Sequence, residues 1–541
     1  MQLAELLASD LSDFKFSVMY GVQGGACARV IDTFVSRGGT YKAVLNEQSA
    51  GYMAHGYYLA SGRPGVVVGT TGPGATNLVS GVASCYFDRI PILCVVGQVK
   101  VSLQLGPATG TRMVGFQEAR HLRIFEHISD VCLPIRSVED YLAVREYIFN
   151  ALRSERKTVV LEIPDDVQRL EVPAAPPRLR KASAESPKNL ASSSGLDVHG
   201  DVLVLGAGCR SLSAVALATL EKIECPVLLT WGAQHLASLF DDRDKFFVFG
   251  THTPGPGNAI LRASSDPIVV GCGMLQHQIG RDPAKFAPTA RRITFINNDL
   301  HEVARFNTQF AGRCVPIVGD ANCYLEGLNP EHFAPTANIA AVRGTGYPFN
   351  ATVDVLVSVL RAFDGRGEYV FTDAGATLSW TYQAANQLIS STRLKIFSSF
   401  NLHPMGFSNC AAVGCGDALN GKATVLAIIG DGSLPMNCQE LAWLKRSKAK
   451  LVVIDNAGYG IIRMTQDDYY EGRHYGSEFG DSDRLPAFSV RKIIEGFGLS
   501  ASVIDFSSAT DEALIAFMQS SCDALVIQCP ISDRVEVDFY D

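Results

Sequence analysis

Short apolar runs, each about the length of a β-strand, recur along this chain with helical patterns between them, and they restrict its fold more than any other feature. In the first third they fall at residues 43–45, 65–69, 91–96 and 158–162. In the middle they fall at 202–205, 227–229, 268–270 and 292–296, and in the last third at 369–371, 425–429, 451–454 and 524–527. A strand with one wet face alternates apolar and polar residues. A continuous apolar run needs cover on both faces, and intervening helices supply it through parallel βαβ crossovers. The pattern therefore predicts an α/β protein of consecutive units with parallel sheets.

At 541 residues, and with about 150 residues per domain, the chain has room for three or four such units. The clearest seam, residues 172–195, is rich in Pro, Ser and Ala without apolar periodicity and reads as a linker. A weaker one lies at residues 332–348. The expected division is an N-terminal domain over 1–170, a linker over 171–195, a central domain over 196–335 and a C-terminal domain over 345–541, each Rossmann-like.

With 47% hydrophobic and 19% charged residues, each unit can bury a proper core. A formal charge of -8 argues against nucleic acid or an anionic membrane as partner. Residues 1–16 lack the basic start and long apolar stretch of a secretion signal. No apolar run approaches the roughly 20 residues of a membrane span. The 14 cysteines are scattered without a CxxC pair, as expected of reduced, buried side chains. A soluble, cytoplasmic protein is the expectation.

The run 425–429 leads directly into Gly430-Asp431-Gly432-Ser433. A strand that ends in glycines before a helix leaves backbone N–H groups free for a diphosphate, here beside Gly432 and Ser433. Asp431, at the strand tip, can meet a hard cation that bridges phosphate oxygens. Asn456 follows the next apolar run, with a helix expected over roughly 438–447 between them. In such a βαβ unit both tips share one sheet edge, so a carboxylate and an amide oxygen face one small cation. Magnesium, which takes near-octahedral oxygen coordination partly from phosphates, suits the pair.

Taken together, Gly430-Asp431-Gly432 and Asn456 resemble the fingerprint of thiamine-diphosphate enzymes. The resemblance implies Asp431 and Asn456 as side-chain ligands of Mg2+, with the carbonyl of Gly458 as the third protein ligand. It also places Tyr459, Gly460 and Ile461 against the cofactor. Many members have two asparagines at this point; the first here is Asp455.

Glu47 stands in residues 44–51 (VLNEQSAG), where a helix is expected to open and run from Ala50 to Ala60. Alone, it reads more simply as a helix-initiating acid in the first turn. Residues 44–51, 65–77 (GVVVGTTGPGATN), 20–25 and 91–99 resemble the pyrimidine-binding domain of the acetolactate synthase and pyruvate oxidase group. That resemblance implies Glu47 as the activating carboxylate. Hydrogen-bonded to the pyrimidine, it favours the imino form whose nitrogen takes the C2 proton.

Pro73 and Asn77 would lie beside the pyrimidine. Phe116 and Gln117 would lie near the reacting carbon, plain core packing being the other reading of Phe116. Residues 403–407 (HPMGF) resemble the loop that bends the cofactor, with Met405 as the wedge and backbone groups at His403 and Met405 completing the pyrimidine hydrogen bonds. Ala376 and Thr377, within residues 373–377, would grip the diphosphate. Because the family sets the pyrimidine side of one subunit against the diphosphate side of another, a homodimer or homotetramer is implied.

Residues 201–208 (DVLVLGAG) open the middle segment like a dinucleotide-binding fold, although GAG alone says little. In acetolactate synthases this domain carries FAD, and residues 250–258 and 266–273 resemble segments around that site, which leaves FAD an open option. Beyond them the family's Arg-Phe-Asp-Asp-Arg element is replaced by Gly273-Met274-Leu275-Gln276-His277. The second arginine, which reads the acceptor's carboxylate, is thus His277, a poorer bidentate partner. Arg281 is close enough in sequence to substitute. Thr465 stands where some synthases carry a tryptophan, and Ile461 and Ile462 would form an apolar wall.

The resemblance implies a carboligase that decarboxylates a 2-keto acid such as pyruvate and transfers the acyl anion to a carbonyl acceptor. A non-oxidative decarboxylase that releases an aldehyde is the alternative. A flavin or nicotinamide oxidoreductase would want a third glycine, which residues 206–211 (GAGCRS) lack. A catalytically silent regulator would be expected to have lost Glu47 or a metal ligand.

Overall fold

The computed structural model describes residues 1–173, 176–179, 199–333, 349–480 and 482–538. The expected linker and the weaker seam fall largely outside these residues. Three six-stranded sheets follow one another along the chain. The first contains β1 (Val18–Gly21), β2 (Thr40–Ala43), β3 (Gly65–Gly69), β4 (Ile92–Gln98), β5 (Val131–Pro134) and β6 (Val159–Pro164), in the order β2-β1-β3-β4-β6-β5. The second contains β7 (Val202–Leu205), β8 (Val227–Leu229), β9 (Phe246–Val248), β10 (Pro267–Val270), β11 (Ile293–Asn297) and β12 (Cys314–Val318), in the order β12-β11-β10-β7-β8-β9.

The third sheet contains β13 (Tyr369–Thr372), β14 (Lys395–Phe397), β15 (Val425–Gly430) and β16 (Ala449–Asp455). After a two-stranded ribbon of β17 (Phe479–Gly480) and β18 (Leu485–Pro486), it is completed by β19 (Ala501–Asp505) and β20 (Ala524–Gln528). Its order is β14-β13-β15-β16-β20-β19. All ladders are parallel, so the protein is α/β with three Rossmann-like units. The first and third sheets share one strand order, and the second has the dinucleotide-fold order.

Interior strands such as β4 are buried at every position, which is why they read as continuous apolar runs. The edge strands do not. β5, β12 and β19 are partly exposed, β9 and β14 are three residues long, and none of them stood out in the sequence. The interior β1, four buried residues, was missed as well. The strand expected at 43–45 is a correction: the edge strand β2 ends at Ala43, and the apolar residues after it lead into a helix.

Helix Glu47–Ser61 of the first unit lies against helix Phe407–Ala418 of the third at backbone distance. A Cβ on Gly56 would collide with the carbonyl oxygen of Ala411, and one on Gly414 with that of Met53. The pair is pinned at both ends. Asp417 takes Lys42 Nζ at 2.6 Å and Tyr20 Oη at 3.1 Å, while Ser49 donates to Asn437 Oδ1 at 3.0 Å. Glu47 therefore begins one helix of a rigid pair, and the loop at 403–406 leads into the other.

Among the described residues no disulfide is present, and no helix is long and apolar enough to cross a membrane. Gly56→Ala and Gly414→Ala are each expected to destabilise the fold by about 1–3 kcal/mol, the usual overpacking cost, or more where backbone is struck. Calorimetric unfolding checks this; unchanged melting of both variants would mean that the two helices are not in backbone contact.

Candidate active site

Parallel pairing sets Gly430 beside Ile454, so β15 and β16 end together. Asp431 follows, almost wholly buried, with its N–H on Ile454 O at 3.0 Å. Its carboxylate accepts the N–H groups of Gly432 at 2.8 Å and Gly458 at 2.9 Å. The side-chain amide of buried Asn456 donates to Gly458 O at 3.0 Å and Asp431 Oδ1 at 3.3 Å, and its oxygen accepts from Arg463 Nη2 at 3.1 Å. A carboxylate, a carbonyl and an amide thus converge on one point.

Turning that amide over would present its oxygen there, the orientation a bound cation would favour. A carboxylate, an amide oxygen and a carbonyl oxygen are hard donors of the kind Mg2+ takes, so these residues fit that ion. Burial, reinforced by nearby Asp455, raises the Asp431 carboxyl above its ordinary value.

Gly458 has φ 142°, and a Cβ there would strike the carbonyl of Ser477, so only glycine brings its oxygen to this point. Two helices start at the same corner: Ala376–Leu388 after β13, and Gly460–Tyr469 after β16. A Cβ on Gly460 would touch that of Ala376 at 3.3 Å, and one on Gly430 would lie 3.0 Å from Thr377 Oγ1. Gly432 packs under the Tyr459 ring. Two positive helix ends and a glycine turn beside a cation site fit a diphosphate. Ile461 is half-buried against the core, and Ile462 is exposed.

Asp373, at the tip of β13, accepts Gly406 N–H at 2.9 Å and Ser408 N–H at 2.8 Å; burial raises its carboxyl to about 6. It thereby fixes the loop carrying half-buried His403, at φ 52°, and Met405. The His403 ring lies 5.9 Å from that of His277, which stacks on Trp231 at 5.7 Å. Burial pushes His277 down to about 3 and His403 to about 4, so neither is cationic at neutral pH.

The N-terminal group forms around Glu47, the first residue of its helix, capped by Asn46 Oδ1 on Gln48 N–H at 3.0 Å. Glu47 is buried and accepts from Asn77 Nδ2 at 3.0 Å, with Gly74 close beside it. Asn77 ends the short helix begun by Pro73. Gln117, at φ 62°, packs on Gly72, and its carbonyl lies 2.9 Å from Thr71 Oγ1. Phe116 is 81% exposed, which corrects the core-packing reading of that residue. Among the described residues no hydrogen bond joins Glu47 to Asp431, Asn456 or the 403–406 loop. The chain carries two half-sites.

Several contributors had no local signal. Glu440 takes the N–H groups of Leu45 at 2.9 Å and Asn46 at 3.2 Å, immediately before Glu47. Arg463 reaches back to Asn456 O at 2.8 Å. Both act across distance that only the fold closes.

The central sheet offers a dinucleotide little. Gly206 and Gly208, after β7, are packed against Gly271, with Gly208 N–H on Gly271 O at 2.9 Å. Where such folds place a ribose-binding acid after the second strand, β8 leads into Thr230-Trp231. The Trp231 ring is stacked on Tyr382 at 5.1 Å and donates to Thr253 at 2.6 Å. Asp299 and Asp320, after β11 and β12, cap the following helices. These residues do not fit FAD held in that manner.

Two family models match this chain: the N-terminal TPP binding domain of thiamine pyrophosphate enzymes over residues 1–122, and their C-terminal TPP binding domain over 373–529. The paired sheets and half-sites are thus those of a thiamine-diphosphate-binding class. Acetolactate synthase of Mycobacterium bovis is 30% identical over 92% of this chain and 82% of its own length. The large subunit of acetolactate synthase isozyme 1 from Escherichia coli K12 is 28% identical, over 92% and 88%. A probable acetolactate synthase large subunit of Methanococcus aeolicus is 27% identical, over 95% and 89%. This chain belongs to the acetolactate synthase-like family of thiamine pyrophosphate enzymes.

Gly458→Ala is expected to weaken magnesium-dependent binding of thiamine diphosphate by roughly 10–100-fold, the range seen when metal-orienting groups are lost. Calorimetric titration reads it. Wild-type affinity would show that the Gly458 carbonyl is not part of the site.

Proposed function

We propose that this chain is a thiamine-diphosphate- and Mg2+-dependent carboligase that decarboxylates a 2-keto acid such as pyruvate and joins the acyl unit to a second carbonyl compound. The observation that carries the reading is the convergence of the Asp431 carboxylate, the Asn456 side-chain amide and the Gly458 carbonyl beside two helix starts. In this reading those three groups hold Mg2+. Thr377, Gly432, Ser433 and the starts of the helices at Ala376 and Gly460 hold the diphosphate, with Tyr459 and Ile461 alongside. When bound, the cofactor supplies the carbanion chemistry at its thiazolium C2.

The chain's own residues do the rest. Glu47, held by Asn77 at 3.0 Å, fixes a proton at the pyrimidine ring nitrogen, and its burial keeps water from competing. Pro73 and Gln117 wall that side, and Met405, with the backbone of His403, supports the cofactor from the other half-site. Uncharged His277 gives a carboxylate no ionic partner, which favours an acceptor without one, such as an aldehyde or ketone. The central unit, on this reading, works without a flavin.

A second copy of the chain would complete each site. Phe116 shares its exposure with Val101, Leu103, Leu105, Met113 and Val114, an apolar strip beside Gln117 that supports a homodimer or homotetramer. The three units correspond in this reading to domains over 1–170, 196–335 and 345–541. Scattered cysteines with no disulfide among the described residues favour a reducing, cytoplasmic setting.

The test follows carbon dioxide release from a panel of 2-keto acids with the cofactor and Mg2+, with and without aldehydes or ketones. Release that accelerates with an acceptor and yields a new carbon–carbon bond is expected. Free aldehyde without response to acceptors would make the protein a decarboxylase instead. Glu47→Gln should retain the cofactor and lose about 10²–10⁴-fold in turnover; unchanged turnover would remove Glu47 from the mechanism.

A further inference from the structure

Behind the Gly72–Pro73 turn lies a buried polar chain with no part in the proposed reaction. His121 opens helix His121–Phe125 and is fully buried. Its Nε2 accepts Gly72 N–H at 3.0 Å, and its Nδ1 lies 2.8 Å from Glu162 Oε2, on β6. An imidazole that accepts at Nε2 carries its proton on Nδ1, so one bond fixes the tautomer and Glu162 receives that proton's hydrogen bond. Gln98, on β4, donates to Glu162 at 3.2 Å and to Ala119 O at 2.8 Å. The Gln98 amide oxygen takes the Thr71 hydroxyl at 2.9 Å, the same hydroxyl that faces Gln117 O.

This network ties β4 and β6 to both walls of the N-terminal half-site. One is the turn at 71–73, which starts the helix ending in the Asn77–Glu47 bond. The other is Gln117, packed on Gly72. The ionisable groups around His121 are few. Glu162 faces it from β6 and is itself paired with Arg136. Cys132 of β5 touches the same helix through Leu122 O, its thiol pushed up by burial to about 11, and Arg120 is exposed. Burial works to raise the Glu162 carboxyl, but His121 and Arg136 outweigh it and hold the group below its ordinary value. A side chain without an acceptor at this position would leave the buried Gly72 N–H unmet.

We propose that His121 is a positioning residue for the cofactor wall: it holds the turn at 71–73 by accepting Gly72 N–H at its Nε2. This rests on the reading of Glu47, Asn77 and Gln117 as the pyrimidine side.

The experiment measures thiamine diphosphate affinity and carbon dioxide release in the magnesium-loaded enzyme for wild type, His121→Gln, His121→Phe and Glu47→Gln. Glutamine keeps an acceptor near Gly72, so His121→Gln should keep wild-type affinity. His121→Phe should bind about tenfold more weakly, the cost of one buried donor left unmet.

Amide exchange of the segment containing Gly72, compared between wild type and His121→Phe without cofactor, should show faster exchange in the variant. Equal loss of affinity in His121→Gln and His121→Phe, or wild-type affinity and Gly72 protection in a folded His121→Phe, would overturn the proposal. Unchanged turnover in Glu47→Gln would instead sink the catalytic reading, while the affinity series and Gly72 exchange still report on His121.

Discussion

At the tips of β15 and β16 the Asp431 carboxylate, the Asn456 side-chain amide and the Gly458 carbonyl converge in a buried corner. Strand register brings the tips level, Arg463 holds the Asn456 carbonyl from behind, and the absent Cβ of Gly458 lets its backbone lie against Ser477. On the proposed reading a divalent cation joins these groups, with the Asn456 amide oxygen turned toward it.

The rest of the architecture presents a second half-site to such a centre. The first and third sheets repeat one strand order, and each uses its carboxyl edge, Glu47 and Gly72 on one and Asp373 and Asp431 on the other. Helices Glu47–Ser61 and Phe407–Ala418 touch at glycine, which makes the start of the first and the loop before the second parts of one rigid piece. The central sheet, with a different order, contributes Trp231 and His277, whose stacked rings approach His403.

Much of this was legible before the structure. Continuous apolar runs marked the interior strands because burial on two faces leaves no room for alternation. The GDG turn and Asn456 stood out because cation chemistry restricts residue type at a strand tip. Edge strands were illegible or shifted because half-exposed or very short strands carry no such run, as β2 shows. The capping of the approach to Glu47 by Glu440, the Asp373 clamp and the His121 network join residues far apart in sequence. Nothing local distinguishes such side chains from solvated ones. The exposure of Phe116 likewise follows from where its loop lies, not from its identity.

The most direct test of the central claim is calorimetric titration of thiamine diphosphate into the metal-stripped chain, with and without Mg2+. The account predicts binding that requires the ion and disappears when it is chelated, because the three oxygens need the cation before they can face a diphosphate. Equal binding without any divalent ion, or none in its presence, would contradict it.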